Sequence, residues 1–226
     1  MGLAHSPHIV RDGLALYLDA ANIKSYTGSG TTWTDISGKD NDGTLTNAPT
    51  YVPNSNGGYF DLDGSNDYVT LPFNTDYTKI SIEAWAIRDT LDGFLSIFGK
   101  YAGGSDTGYE ILFNNAGGVK FHTSSSAISS TGNGATDNGG SLTTGVWYHI
   151  VGTYDGTTSK IYVNSSLHAS GATSHNSNSI NWRIGRSQWG GNYYNGKMSI
   201  IKLYNKALSE TEVIQNYHAL KPRFGL

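Results

Sequence analysis

Trp147-Tyr148-His149-Ile150-Val151-Gly152-Thr153-Tyr154-Asp155-Gly156-Thr157-Thr158-Ser159-Lys160-Ile161-Tyr162-Val163-Asn164 is the stretch that decides the fold. Its first eight residues are mostly aromatic or β-branched, types that suit a pleated, half-buried surface. Asp155-Gly156 supplies the positive φ of a tight turn. The returning segment puts Ile161 and Val163 on one face and Tyr162 on the other. Beyond a polar loop, Asn181-Trp182-Arg183-Ile184-Gly185 reads as another strand. A Gly-aromatic loop through Trp189, Tyr193 and Tyr194 then leads to a last one, Asn195 to Tyr204. The order of signals predicts a run of antiparallel strands.

Upstream the pattern continues. Leu14, Leu16 and Leu18 alternate, as in a strand with one face on a core. Tyr59 to Asp63 and Tyr68-Val69 flank an Asp63-Gly64 turn, with Phe60 and Leu62 alternating. In Ile80 to Ile87, the residues Ile80, Ile82, Ala84 and Ala86 share one face, and Glu83, Trp85 and Ile87 the other. Bulk on both faces predicts an interior strand. Leu95 to Tyr101 and Tyr109 to Phe113 bracket a Gly-rich loop holding Asp106, and Val119 to His122 completes a second hairpin. From Ser124 to Thr144 the chain is Ser, Thr, Gly and Asn with hardly an apolar anchor, either an excursion toward a partner or a concealed edge strand.

One helix is expected, over 209–220. Ser209 and Glu212 make a capping box, and Leu208 and Val213 occupy the hydrophobic-staple positions. Val213, Ile214, Tyr217 and Leu220 form its apolar stripe, and Pro222 ends it by disfavouring α geometry at Lys221.

The whole chain, 226 residues, reads as one all-β domain with a 1–10 N-terminal arm. Charged residues are only 15% and glycines number 29, as many short strands and turns require. A net charge of −3 gives no electrostatic reason to expect nucleic acid as a partner. No apolar run approaches the roughly 20 residues that span a bilayer, so no membrane is expected. The chain has no cysteine, which removes disulfides and thiolate metal sites.

The order Trp147-Tyr148-His149-Ile150-Val151, Tyr154-Asp155-Gly156, Ile161-Tyr162-Val163-Asn164, Ile184-Gly185, Asn195-Gly196 and Tyr204-Asn205-Lys206-Ala207-Leu208-Ser209 resembles the laminin-G-like branch of the concanavalin A-like lectin/glucanase superfamily. Gly58 to Val69 carries the same resemblance. It implies a jelly-roll sandwich of two antiparallel sheets. Related chains often carry Asp just after the Asn-Gly-x-x step, where some bind a structural calcium; here that position is Ser199. Trp33-Thr34-Asp35-Ile36-Ser37-Gly38 with Asn41-Asp42-Gly43, and the ending Gln215 to Leu226, resemble structural proteins of tailed bacteriophages. That resemblance implies a virion protein, assembled in a bacterial cytoplasm and released by lysis. The segment Met1 to Ser6, without the basic and apolar regions of a secretory signal, is consistent with it.

Glucanases of the superfamily carry alternating carboxylates on one strand, beside the scissile bond. This chain has four glutamates, Glu83, Glu110, Glu210 and Glu212; the last two cap the helix, and Ala84-Trp85-Ala86 follows Glu83. The expectation is a non-enzyme. His149 reads as a packed strand histidine. Asp40, Asn41 and Asp42 either ligate calcium through oxygen donors at short spacing or form a turn bonded to its own backbone. Asp106 is the other calcium candidate, since the pentraxins, distant relatives, carry a calcium-binding pair there. Flat rings pack on the apolar faces of sugars while amides bond hydroxyls, so Gln188, Trp189, Asn192, Tyr193 and Tyr194, with Tyr101, are the candidate ligand-binding residues. The expected partners are a glycan or host cell surface and other virion subunits, including copies of this chain. The rival is a purely structural capsid or tail protein without a sugar site.

Overall fold

The computed structural model describes residues 7–54, 58–102, 107–123, 142–188 and 191–226. Its strands are β1 (Leu14–Asp19), β2 (Thr32–Trp33), β3 (Gly43–Thr46), β4 (Thr50–Val52), β5 (Tyr59–Asp63), β6 (Tyr68–Thr70), β7 (Ile80–Arg88) and β8 (Leu95–Gly99). They continue with β9 (Glu110–Phe113), β10 (Val119–His122), β11 (Tyr148–Tyr154), β12 (Thr158–Val163), β13 (Ser166–Ala172), β14 (Arg183–Ile184) and β15 (Asn195–Tyr204). One helix, α1 (Glu210–Leu220), and a 3₁₀ turn, Lys221–Phe224, follow.

The strands make two antiparallel sheets. The larger runs β13-β12-β11-β7-β15-β5-β4, with β1 beside the second half of β15. The smaller runs β10-β9-β8-β14-β6-β3-β2. Alternation builds the layer between them: Ile80, Ile82, Ala84 and Ala86 of β7 face Ile111, Phe121 and Ile184 of the smaller sheet in one core. Fully burying each Leu, Ile or Phe contributes about 1.5–3 kcal/mol. The layer is close-packed: a Cβ on Gly152 would sit 2.6 Å from the Phe121 ring of the opposite sheet. The two-sheet, all-β architecture and the interior placement of β7, between β11 and β15, are as the sequence predicts.

The outer face of the larger sheet has a second core. Trp85, Val151, Tyr162, Ile200 and Tyr204 lie under α1, the 3₁₀ turn and the chain at Val10. Phe224 stacks on Trp85 at 4.1 Å, and the Val10 amide donates to Asn216 Oδ1 at 2.7 Å. The capping box of Ser209 and Glu212 is formed, and Leu208 and Val213 are both buried.

Several expectations need correction. Ile214 points to solvent, and Asn216 takes the buried place beside Val213, because it supplies a donor to Glu83 beneath. Pro222 does not expel Lys221 from α geometry (φ −53°, ψ −35°); the chain tightens into a 3₁₀ turn that tolerates a proline near its start. Leu14 belongs to the second core rather than to the layer of Leu16 and Leu18, since a register shift between Leu14 and Leu16 turns it over. Trp147 is half-buried just before β11, against Phe224 and Tyr59. The polar stretch after Asn164 is no loop: it contains β13, a mostly exposed edge strand with no apolar alternation to betray it. Ser124 to Ser141, in the polar stretch, lies outside the described residues.

Candidate functional site

The outer face of the smaller sheet carries polar residues in register. Thr44 pairs with Thr70, Thr70 with Arg183, Arg183 with Gly99, Gly99 with Glu110 and Glu110 with His122. The next row, Leu45, Val69, Ile184, Phe98, Ile111 and Phe121, faces the core. Side chains alternate across a sheet, so the first row faces outward. A sheet face of charged and hydroxyl groups does not contribute to the packed layer, which makes it the natural place for function.

The face divides by exposure. Toward β6 and β14, Tyr68, Thr70, Arg183, Arg186, Gln188, Asn192 and Tyr193 are half-exposed. Gly185 organises this half. Arg183 and Arg186 are three residues apart, so a regular strand would send them to opposite faces. Gly185 has φ 79°, which a side chain would strain, and the turn there brings both guanidiniums onto the Tyr68 ring, 5.7 and 5.0 Å from its centroid. The chain returns through a bridge between Arg186 and Tyr193. Arg186 thereby lies 5.1 Å from the Tyr193 centroid as well, with Tyr68 and Tyr193 6.4 Å apart. Arg186 thus sits in the angle between two neighbouring, tilted rings, and Arg183 lies against the Tyr68 ring.

Toward β9 and β10 the face is buried. Glu110 accepts from Ser96 Oγ at 2.6 Å and is bonded by Ser187, yet burial pushes its carboxyl up to about 7 against both. Tyr101 packs at a tilt against His122, 5.0 Å between centroids. Of the predicted ligand-binding residues, Tyr193 lies on the half-exposed side, and Gln188 and Asn192, also half-exposed, follow and precede the bridged pair Arg186 and Tyr193 in the chain. Tyr194 and Tyr101 do not. Tyr194 is fully enclosed, its hydroxyl donating to the Ile87 carbonyl at 2.6 Å, because it follows Tyr193 and points the other way. Tyr101 is 2% exposed and stands over the buried His122. Both are corrected to interior residues. Trp182, just ahead of Arg183, is also interior. Trp189 lies outside the described residues.

Sequence reasoning passed over Tyr68, Arg183 and Arg186. A signal was available for Arg183, which stands between the core residues Trp182 and Ile184 and must face out. None was available for Arg186, whose side depends on the turn at Gly185.

Asp106, the calcium candidate, lies outside the described residues. Around Asp40 to Asp42 the side chains meet the loop's own backbone: Asp42 Oδ1 accepts the Asp35 amide, and Asp35 accepts the amides of Tyr17, Ser37 and Asn41. At Ser199 the hydroxyl donates to the Gly58 carbonyl and accepts from Arg223, which also grips Asp19 with two nitrogens at 2.6 and 2.9 Å. Those oxygens are engaged by a guanidinium. Among the described residues no three His, Asp or Glu side chains converge.

The larger sheet's outer face holds Glu83, fully buried under α1. Lys202 Nζ and His149 Nε2 reach its Oε1 at 2.6 and 3.0 Å, and Asn216 Nδ2 its Oε2 at 2.6 Å. Burial would raise this carboxyl, but the Lys202 ammonium overcomes it and holds Glu83 below the usual range; burial keeps His149 neutral. His149 is thus a packed strand histidine. Glu83 and Glu110 point outward from opposite sheets, whose stacking separation is about 10 Å before the side chains are added. They cannot flank one glycosidic bond.

A jelly-roll sandwich with a polar outer sheet face defines the lectin/glucanase class. The chain belongs to that superfamily: its Laminin_G_3 family, described as concanavalin A-like lectin/glucanases superfamily, matches residues 63–214. A comparison with curated proteins returns no match. Solved structures share the fold at low identity. A Trypanosoma rangeli sialidase has a TM-score of 0.68 at 19% identity, covering 93% of this chain and 33% of that one. The binding domain of botulinum neurotoxin serotype D has 0.67 at 15%, covering 92% and 52%. Domain 4 of an extracellular arabinanase from Geobacillus stearothermophilus, in complex with arabinotriose, has 0.64 at 18%, covering 90% and 98%. The chain therefore spans about a third of the sialidase, half of the toxin domain and nearly all of the arabinanase domain. No helix among the described residues is long and apolar enough to cross a membrane.

Proposed function

We propose that this chain is a non-catalytic glycan-binding module that decorates a phage-like particle and contacts the host surface. The observation that carries the glycan reading is the half-exposed pair of Tyr68 and Tyr193 beside Gln188 and Asn192, on the sheet face turned away from the core. Aromatic faces take a sugar's C–H surface, and amides take its hydroxyls. The neighbours support it to the extent that one carries a bound arabinotriose and another is a binding domain. The absence of catalysis rests on the placement of Glu83 and Glu110 on opposite sheets. The particle reading rests on the resemblance of residues 33–43 and 215–226 to phage structural proteins, and places the working protein in the virion with copies of itself or other subunits.

A glycan array probed with wild type and Tyr193→Ala tests the binding reading. Signal that falls with Tyr193→Ala while the fold is retained is expected; a blank array would favour a structural role. Antibody labelling of purified particles tests the virion reading, and unlabelled particles would remove it.

A further inference from the structure

The cluster of Arg183, Tyr68, Arg186 and Tyr193 has an electrostatic peculiarity. Among the described residues, Lys100 pairs with Asp76, Lys202 with Glu83 and Arg223 with Asp19, while Arg88 bonds the carbonyls of Thr90 and Asn114 and Lys120 lies over the Phe94 ring. Among the described residues Arg183 and Arg186 pair with no carboxylate, and the Nε of each, like Arg88 Nη2 and Arg223 Nε, is buried without a hydrogen-bond partner; what sets them apart is that both guanidiniums lie against one half-exposed ring. Burial and the neighbouring Arg186 charge both push the Arg183 guanidinium down. Stacking on a tyrosine uses only the flat face of a guanidinium. Its N–H donors lie in the plane, in a fork that matches the two oxygens of a carboxylate or sulfate. Two like charges held together and half-desolvated, each with a buried unpartnered Nε, are unfavourable until an anion arrives.

We infer that this cluster binds an acidic glycan, the two guanidiniums taking a carboxylate or sulfate while Tyr193 and Tyr68 take the adjoining pyranose. The inference rests on the glycan-binding reading above and names the ligand class for that site. Tyr193, half-exposed beside Tyr68, meets the sugar ring. Arg186 is held against both tilted rings, which restrains its fork and gives the site selectivity as well as charge. Lysine in its place would keep the charge and lose the fork.

Calorimetric titration of the full chain with three oligosaccharides tests this: a polyuronate, its carboxyl-reduced neutral counterpart, and a sulfated galactan. At least one acidic probe should bind about tenfold or more tighter than the neutral one, the worth of one charge-assisted pair. Arg183→Gln and Arg186→Gln should each cost about that factor toward the acidic probe alone, and Arg186→Lys should not restore it. Which acidic probe binds identifies the oxyanion. The wild-type comparison of acidic against reduced sugar needs no variant, so misfolding of a mutant leaves the inference testable. Equal affinity for the polyuronate and its reduced form, with no response to sulfate, overturns the acidic ligand and leaves glycan binding standing. A wild-type chain that binds none of the three probes and no glycan on the array overturns both.

Discussion

Tyr193 and Tyr194 are adjacent in sequence and lie on opposite sides of the same chain. Tyr193 is half-exposed beside Arg186, and Tyr194 is fully buried with its hydroxyl on the Ile87 carbonyl. Strand geometry makes this the rule for consecutive residues. One position is available to a ligand and the other is not.

The two alanine variants should therefore behave oppositely. Tyr194→Ala opens a cavity and should cost roughly 3–5 kcal/mol in urea unfolding. Tyr193→Ala removes a ring that packs mainly on Tyr68 and Arg186, and should cost about 1 kcal/mol or less while weakening glycan binding. Comparable losses of stability in the two would put Tyr193 in the core and leave the sugar site without its outer wall.

The fold was legible where period and turn chemistry agreed. Ile80 to Ile87, the Asp155-Gly156 hairpin and the Ser209 capping box each declare themselves from a few residues, and each is present. What stayed hidden depends on long-range packing. The edge strand β13 has no apolar face, because its sides meet solvent. Asn216 occupies an apolar position on the helix because a buried carboxylate from β7 lies beneath it, 133 residues away in sequence. The site was half legible for the same reason: Gln188, Asn192 and Tyr193 announce a Gly-aromatic loop, whereas Arg186 joins Arg183 only through the turn at Gly185.

Glu83 and Lys202 give a second prediction. Each is enclosed, and removing one partner strands the other charge. Lys202→Met should cost about 3–5 kcal/mol. The folded carboxyl lies below its unfolded value, so the stability it contributes is present above about pH 4.3 and lost as pH falls through the folded value. In Lys202→Met the acid-unfolding midpoint, followed by circular dichroism, should move upward. An unchanged midpoint would mean that the ammonium does not hold Glu83 charged.

Glu110 has the reverse sign. Its folded value is about 7 against 4.5 unperturbed. Between those values the folded chain retains a proton that the unfolded chain has released, so stability falls as pH rises through the window. Glu110→Gln keeps the shape and the Ser96 hydrogen bond while deleting the charge. It should stabilise the protein above pH 7 by up to about 3 kcal/mol and have little effect below pH 4. Thermal melts across pH 4–8 read this directly. A variant that melts lower than wild type at pH 8 would show that the carboxylate is held by a partner of its own.

The last prediction concerns chemistry. General acid catalysis favours a carboxyl whose pKa lies near the working pH, and Glu110 meets that single condition. Hydrolysis asks for more. A second carboxyl must stand roughly 5–10 Å away on the same side, as nucleophile or as base for water. Glu110 is 2% exposed, its bonded neighbours Ser96 and Ser187 are neutral, and the other strand glutamate is sealed under α1 on the far side of the sandwich. Neither His122, itself buried beside Tyr101, nor Arg183 can supply the missing carboxylate. Incubation with β-glucan, agarose or alginate should release no reducing ends above a buffer control, at any pH from 4 to 8. Release that disappears in Glu110→Gln, with the fold intact, would establish a hydrolase and overturn the binding-only reading.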